Sequence, residues 1–342
     1  MPSSLSNWAS LEYCDISRNK IAELPEEFEY LVSLTHLDVS SNRIGHLPYK
    51  FGNIKTLSYV NLSTNMLAYL PESFGKLNQL EYCNLENNEI LLSPGCFSTL
   101  TSLKSLLLGR NSINKLFPDI GSCLALSFLD LQNNRITDIP IEFGKLTNLQ
   151  ELKLSRNNLS VLPVELGSLM QLQKLELSYN SLSGMIPDSI GLVTSLRYLD
   201  ISFNKIEEFP RSIIGLKELT FLNAERNLIS HLPDTFTFLD KLDFLNIRNN
   251  KFTRFPTELS RMKVLKILNL ANNSITLLPR NINIMTNLES LNLSRNGLRA
   301  LPLEFTDVLE TVVEVNLDEN PWTDYPPRCK KNLYKNDMIF IV

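Results

Sequence analysis

The nine residues Leu149–Asn157 read LQELKLSRN, and this L-x-x-L-x-L-x-x-N pattern occurs fourteen times in a chain of 342 residues. The closing asparagine returns every 23 residues, with two intervals of 24. Length alone would suggest two independent domains, but a repeat kept in register over nearly the whole chain predicts one repetitive architecture. The asparagines are Asn19, Asn42, Asn65, Asn88, Asn111, Asn134, Asn157, Asn180, Asn204, Asn227, Asn250, Asn273, Asn296 and Asn320.

The first half of each unit predicts a short strand with one buried face. Leu152 and Leu154 alternate with the polar residues Glu151 and Lys153, and side chains of a strand point alternately to opposite faces. The asparagine follows where the chain leaves the strand. Its amide carries two donors and an acceptor, so we expect the asparagines to satisfy buried backbone groups and to stack into an internal ladder.

The second half of each unit predicts a tight turn. A Leu-Pro or Ile-Pro pair usually precedes two apolar anchors three residues apart, as in Phe143 and Leu146 after Pro140. Three-residue spacing suits a 3₁₀ or short helical turn. The segment Ser181–Pro187 makes its unit one residue longer, and we interpret it as a local bulge.

These repeats resemble the leucine-rich repeat family, in particular the intracellular 23-residue Leu-Pro subclass of the Shoc-two-like and Ras-suppressor-like scaffolds. The resemblance implies an α/β solenoid curved like a horseshoe, with parallel strands on its concave face and 3₁₀ or short helical turns on its convex face. It divides the chain into a partial leading repeat at residues 1–10, a solenoid of about fourteen repeats at 11–326, and a C-terminal tail or incomplete cap at 327–342.

Composition excludes several classes of function. The net charge is −4 and the sequence pI is near 5.6, which argues against a general nucleic-acid binder. No run approaches the ~20 apolar residues of a membrane span, and the first residues do not read as a secretory signal. The five cysteines form no CxxC pair. We therefore expect a cytoplasmic protein without a disulfide framework, a metal site or a cofactor.

Catalytic motifs are missing from the sequence, and the three histidines have no cysteine or carboxylate partner in the repeat register. The informative positions lie six, four, two and one residues before each repeat asparagine, on the predicted concave face. Aromatic residues cluster there in two blocks, 13–82 and 198–244. Two interpretations stay open, since such rings are enriched at protein interfaces and also pack on each other across strands. The candidate contact residues are Tyr59, Tyr82, Arg110, Phe128, Arg156, Tyr198, Phe221, Arg226, Phe244 and Arg248.

The resemblance implies a non-enzymatic scaffold for protein–protein interaction in intracellular signal transduction, with a small GTPase or a phosphatase as partner. Shoc-two-like scaffolds also carry a phosphatase-docking [R/K]-V-x-F element, and none occurs in this sequence. The alternative is the sensor or substrate-recognition portion of a larger signalling enzyme, such as an adenylate cyclase, a Roc-COR kinase or a phosphatase. A cytoplasmic immune sensor is a third possibility. The sequence does not fix the oligomeric state.

The two ends of the chain leave another pair of alternatives. Leu5 and Trp8 occupy the two anchor positions of an earlier repeat, and the last five residues, 338–342, are all apolar. Either the chain belongs to a longer polypeptide, or its tail folds over the last strand as a simple cap that covers the apolar end of the stack.

Overall fold

The computed structural model describes residues 8–91 and 95–323, and it divides into two units, Met1–Leu175 and Glu176–Val342. In each unit every repeat contributes a three-residue strand followed by a short turn. The predicted tail at 327–342 and most of the predicted leading repeat at 1–10 lie outside the described residues. The boundaries at 10 and 326 therefore stay predictions.

The strands of the first unit are parallel and lie in chain order, because equivalent residues of successive repeats pair in register. Tyr59 pairs with Tyr82, and Phe128 pairs with Glu151, 23 residues further on in each case. These strands are β1 (Tyr13–Asp15), β2 (His36–Asp38), β3 (Tyr59–Asn61), β4 (Tyr82–Asn84), β5 (Ser105–Leu107), β6 (Phe128–Asp130) and β7 (Glu151–Lys153); β8 (Lys174–Glu176) contains the boundary between the units.

The second unit repeats this arrangement and adds a small second sheet. Strands β10 and β12–β16 are parallel and pair in register. Strands β9 and β11 pair with each other and form the separate two-stranded sheet. The strands are β9 (Ser183–Met185), β10 (Tyr198–Asp200), β11 (Lys205–Glu208), β12 (Phe221–Asn223), β13 (Phe244–Asn246), β14 (Ile267–Asn269), β15 (Ser290–Asn292) and β16 (Glu314–Asn316).

The longer unit at 181–187 differs from its predicted form. Ser183–Met185 is a strand rather than a bulge, and the pairing irregularity lies in its partner, between Ile206 and Glu208. Gly184 has a φ of 68°, a left-handed conformation that glycine adopts without a steric cost. The extra residue is therefore absorbed by a glycine that lets a second pair of strands form.

Tight turns connect the strands, and proline sets the entry to most of them. Pro140 has extended backbone angles before its turn, and Phe143 inside that turn is fully buried. The 3₁₀ turns are Glu26–Tyr30, Phe51–Asn53, Glu72–Lys76, Phe97–Thr99, Pro118–Ser122, Ile141–Lys145, Val164–Ser168, Asp188–Leu192, Arg211–Gly215, Asp234–Phe238, Leu259–Arg261 and Arg280–Ile284, and the α-helix α1 is Phe305–Thr311. The predicted fold class, parallel strands joined by 3₁₀ or short helical turns, is confirmed.

The asparagines form the predicted ladder inside each unit. Asn157 is 6 % exposed, and its amide nitrogen donates to the carbonyl oxygens of Leu131 at 2.9 Å and Leu154 at 3.0 Å. Its amide oxygen accepts the backbone N–H of Ile136 at 3.0 Å. Asn250 makes the equivalent contacts in the second unit. Both asparagines thus satisfy backbone groups of two successive repeats, and a buried backbone group left unpaired costs about 1–3 kcal/mol.

Candidate functional site

The open face of each unit's sheet carries the side chains that alternate with the buried leucines. In β7, Leu152 is fully buried while Glu151 and Lys153 on either side are half-buried. The same half-buried, buried, half-buried pattern holds in most strands. We call this surface the open face. It contains the aromatic candidate contact residues named from the sequence, and the candidate arginines follow just after its strands. These side chains are what the sheet presents to another molecule.

In the first unit a continuous row of rings crosses the open face. Tyr13, His36, Tyr59 and Tyr82 stack face to face, with centroid separations of 4.4, 4.0 and 4.5 Å and interplanar angles of 14° or less. They stack because each occupies the same position of a three-residue strand, and in-register parallel strands hold such side chains about 4.8 Å apart. The faces of the inner rings are covered by their neighbours, so the ring edges and the hydroxyl groups remain for contact.

Tyr59 and Tyr82 stay protonated over the physiological range, because the pKa of each phenol is raised. Burial, then the neighbouring Tyr82 and Asp38, raises the pKa of Tyr59 to about 12. Burial also raises the pKa of Tyr82. Both phenols are therefore neutral, and each hydroxyl can donate or accept a hydrogen bond.

The remaining candidates of the first unit lie among charges of both signs. Lys153 lies 5.0 Å from the centre of the Phe128 ring and 3.5 Å from a carboxylate oxygen of Glu151. Arg110 is exposed and lies 3.5 Å from Glu86. Arg156 is exposed as well. The structure thus surrounds Phe128 and Arg110 with charged partners instead of joining them to the ring row.

In the second unit a shorter and more apolar row crosses the open face. Tyr198, Phe221 and Phe244 stack with centroid separations of 4.2 and 4.3 Å and interplanar angles of 3° and 8°. Three of the predicted contact residues are therefore one continuous surface. The rings contact each other through their faces, as the packing interpretation predicts, while remaining half-buried.

A second row of rings, which the sequence analysis did not select, accompanies the first. Tyr179 and Phe203 stack at 4.0 Å, and the Arg226 guanidinium lies 4.9 Å from the centre of the Phe203 ring. Glu225 lies within 3.9 Å of both Arg226 and Arg248. The signal for this row was present in the sequence, because Tyr179 and Phe203 both directly precede a repeat asparagine.

The residue before each ladder asparagine has an unusual backbone. Arg110, Arg156 and Arg226 have φ values of 53°, 58° and 54°, in the left-handed region that most residues avoid. This conformation recurs in all fourteen repeats and turns the chain out of the strand. Arg110, Arg156 and Arg226 thus lie at the bend that follows the strand, while Arg248 lies one residue before the bend of its own repeat.

The described part of the chain offers neither a metal centre nor an exposed reactive thiol pair. Its His, Cys, Asp and Glu side chains form no group of three or more that could hold a metal ion. Its four cysteines are free thiols, and Cys83 and Cys123 are buried. Burial is the main reason why the pKa of the Cys123 thiol is raised to about 12. Within residues 8–91 and 95–323, no helix is both long and apolar enough to cross a membrane.

Comparison with family models finds leucine-rich repeats along much of the chain. A model described as "Leucine-rich repeat region" matches residues 182–274, and one described as "Leucine rich repeat" matches 91–136 and 125–182. Two further leucine-rich repeat models match residues 30–46 and 287–308. No curated protein matches the chain significantly in sequence.

Solved structures share the fold. A leucine-rich repeat protein of Leptospira interrogans is 30 % identical, with a TM-score of 0.86 over 99 % of this chain and 92 % of its own. The plant peptide hormone receptor RGFR1, in complex with RGF2, is 29 % identical, with a TM-score of 0.74 over 95 % of this chain and 57 % of its own. The internalin InlF of Listeria monocytogenes is 22 % identical, with a TM-score of 0.77 over 92 % of this chain and 88 % of its own.

Proposed function

This chain belongs to the leucine-rich repeat family, and we propose that it is a non-enzymatic scaffold that binds a protein partner on its open face. Leucine-rich repeat proteins generally mediate protein–protein interaction. The observation that supports this use most strongly is the paired ring rows of the second unit. Tyr198, Phe221 and Phe244 form one row, and Tyr179 and Phe203 form the other.

The chemistry of this surface suits a protein better than a nucleic acid. Tyr, Phe and Arg are the residue types enriched at protein interfaces and at their energetic centres. Arg226 and Arg248 both lie near Glu225, so the charge beside the rings is mixed. A nucleic-acid backbone would instead call for an excess of unneutralised basic side chains. The similar plant peptide hormone receptor RGFR1 is itself found in complex with RGF2.

The identity of the partner is proposed from the resemblance of these repeats to the intracellular Leu-Pro subclass. The 23-residue Leu-Pro unit is typical of the intracellular scaffolds named above, so the partner proposed for this chain is a small GTPase of the Ras type, with a phosphatase as the second choice. The corresponding location is the cytoplasm, and the corresponding role is signal transduction. These assignments depend on the form of the repeat, while the binding surface depends on the rings.

The test is capture of purified Ras-like GTPases, each loaded with GDP or with a non-hydrolysable GTP analogue, on the immobilised chain. A Tyr198→Ala/Phe221→Ala/Arg226→Ala variant is expected to lose at least about tenfold in affinity, because central aromatic and arginine contacts each contribute roughly 1–2 kcal/mol or more.

The matched control removes apolar surface from the turn side of the same unit. Leu192 and Phe238 are 58 % and 51 % exposed, and a Leu192→Ala/Phe238→Ala variant should bind like the wild type. Equal loss in both variants would contradict a site on the open face. Binding of a phosphatase but of no GTPase would retain the scaffold and replace its partner.

A further inference from the structure

The ring row of the second unit ends in a change of chemistry. Phe244, Ile267, Ser290 and Glu314 occupy the same position of β13, β14, β15 and β16 and pair in register. Along these four strands the side chain changes from aromatic to aliphatic, then to a small hydroxyl, then to a carboxylate. The last three therefore differ in kind from the stacked rings that precede them.

A cavity of about 240 Å³ opens at this place. It exists because Ser290 is small and stands between the larger Ile267 and Glu314. Phe244 and Ile267 line its apolar end, and Glu314 lines the opposite end. Ile267 is 38 % exposed, so the apolar end is open to a ligand.

One side of the cavity offers hydrogen-bond donors. Asn269, Asn292 and Asn316 line it, and the amide oxygen of each accepts a backbone N–H two residues further on, at 3.0–3.1 Å. Those bonds fix the orientation of the amides. In the described part of the chain none of the three amide nitrogens donates to an acceptor, so each can donate to a bound molecule.

The far end of the cavity is acidic. Glu314 is exposed and accepts a 3.4 Å hydrogen bond from the Ser290 hydroxyl, and no cation lies within ion-pair distance of it among residues 8–91 and 95–323. Arg295, which lies between β15 and β16 in the chain, is paired with Glu319 at 2.7 Å. Within the described part of the chain, no basic side chain neutralises the carboxylate at the cavity.

We propose that this cavity binds an extended segment of the protein partner that carries an apolar residue and, two positions later, an arginine. Strands about 4.8 Å apart put Ile267 and Glu314 roughly 10 Å from each other across β15, and alternate residues of an extended chain lie about 7 Å apart on one side. The apolar side chain then packs on Phe244 and Ile267. The longer arginine reaches Glu314, whose two oxygens fit a planar guanidinium.

The three asparagines that line one side of the cavity supply the remaining specificity. The backbone carbonyl oxygens of the bound segment accept hydrogen bonds from the amide nitrogens. The inference rests on the proposed function, because it assigns one subsite to the partner that the open face holds.

The test is a titration of the full chain with the peptide acetyl-Leu-Gly-Arg-amide, followed by methyl and amide NMR signals. Perturbation is expected at the Ile267 methyl groups and the Ser290 amide. Glu314→Gln should weaken binding about fivefold, the upper range for a partly exposed charge pair. Glu310→Gln, which removes the same charge from an exposed position of α1, should change nothing.

A second variant tests the cavity by its volume. Ser290→Leu fills the space between Ile267 and Glu314 and should abolish the perturbations, while its position on a half-exposed strand surface leaves the fold intact. Acetyl-Leu-Gly-Gln-amide, which lacks the charge, should bind as weakly to the wild type as the arginine peptide binds to Glu314→Gln.

Three outcomes would overturn the proposal: equal binding of the two peptides, equal affinities of the Glu314→Gln and Glu310→Gln variants, or Ile267 signals that broaden with protein concentration alone. The last result would assign the cavity to a second copy of the chain. Because the peptide is tested without the partner, its failure is distinguishable from the failure of GTPase capture by the ring rows.

Discussion

The asparagine ladder and the ring rows are built by the same repeats, yet they follow different rules. The ladder asparagine is identical in all fourteen repeats, and in most of them it is buried. The position six residues before the asparagine varies from repeat to repeat. It holds tyrosine at Tyr59 and Tyr82, glutamate at Glu151 and serine at Ser290. We call each set of equivalent positions a column. The asparagine column satisfies buried backbone groups, so its side chain is the same in every repeat. The ring column faces solvent, so its side chain can vary with what it contacts.

The largest effect is expected in the ladder. Asn157→Ala removes hydrogen bonds from the carbonyl oxygens of Leu131 and Leu154 and from the N–H of Ile136. The buried N–H of Ile136 then loses its acceptor, while the carbonyl oxygen of Leu131 keeps its hydrogen bond from Asn134. One unpaired buried group and two lost hydrogen bonds should lower the free energy of unfolding by about 3 kcal/mol. Chemical denaturation followed by circular dichroism measures the change. The neighbouring Asn158→Ala, at an exposed position, is the control, and similar midpoints for the two variants would remove the distinction between the columns.

A smaller effect is expected in the ring row. Phe221→Ala removes two stacked ring contacts, to Tyr198 and to Phe244. The free energy of unfolding should fall by about 1–2 kcal/mol, because cross-strand aromatic pairs contribute roughly 0.5–1.5 kcal/mol each and the ring is only half-buried. Phe238→Ala at the turn side should cost less in the same denaturation experiment. A loss as large as that of Asn157→Ala would mean that the rows serve folding more than binding.

The smallest effect concerns a carboxylate between the two columns. Burial is the main cause that raises the pKa of Asp200 above its ordinary value, with Glu176 adding to it. A raised folded-state pKa means that the folded protein holds this proton to higher pH than the unfolded chain. Stability therefore falls as the pH rises through the folded-state pKa.

Asp200→Asn should consequently raise the melting temperature at pH 7, and the gain should vanish near pH 3, below the ordinary aspartate pKa of about 3.9. Asparagine already occupies the equivalent positions Asn223 and Asn246, so the change fits the column. Thermal unfolding at the two pH values measures it. If the melting temperature rises equally at pH 7 and at pH 3, the effect comes from packing and not from charge.

The sequence by itself determined the period, the faces and the ladder. A leucine at alternate positions can only be buried on one side of a strand, and an amide that closes every repeat can only be useful beside unpaired backbone, as Leu152 and Asn157 illustrate. The Leu-Pro pairs predicted the 3₁₀ turns for the same local reason. These features depend on neighbours within one repeat, which the sequence displays directly.

Tertiary structure decided how the repeats meet. Whether Tyr179 and Phe203 stack, whether Ser183–Met185 pairs as a strand, and whether Ser290 leaves a cavity all depend on register between residues 23 or 24 positions apart. The left-handed backbone of Arg226 is likewise a property of the bend that the stacked repeats share. Side chains of suitable size and charge form a binding surface only when parallel strands place them next to each other. Contact between repeats depends on the spacing of the strands, which the pattern within one repeat does not show.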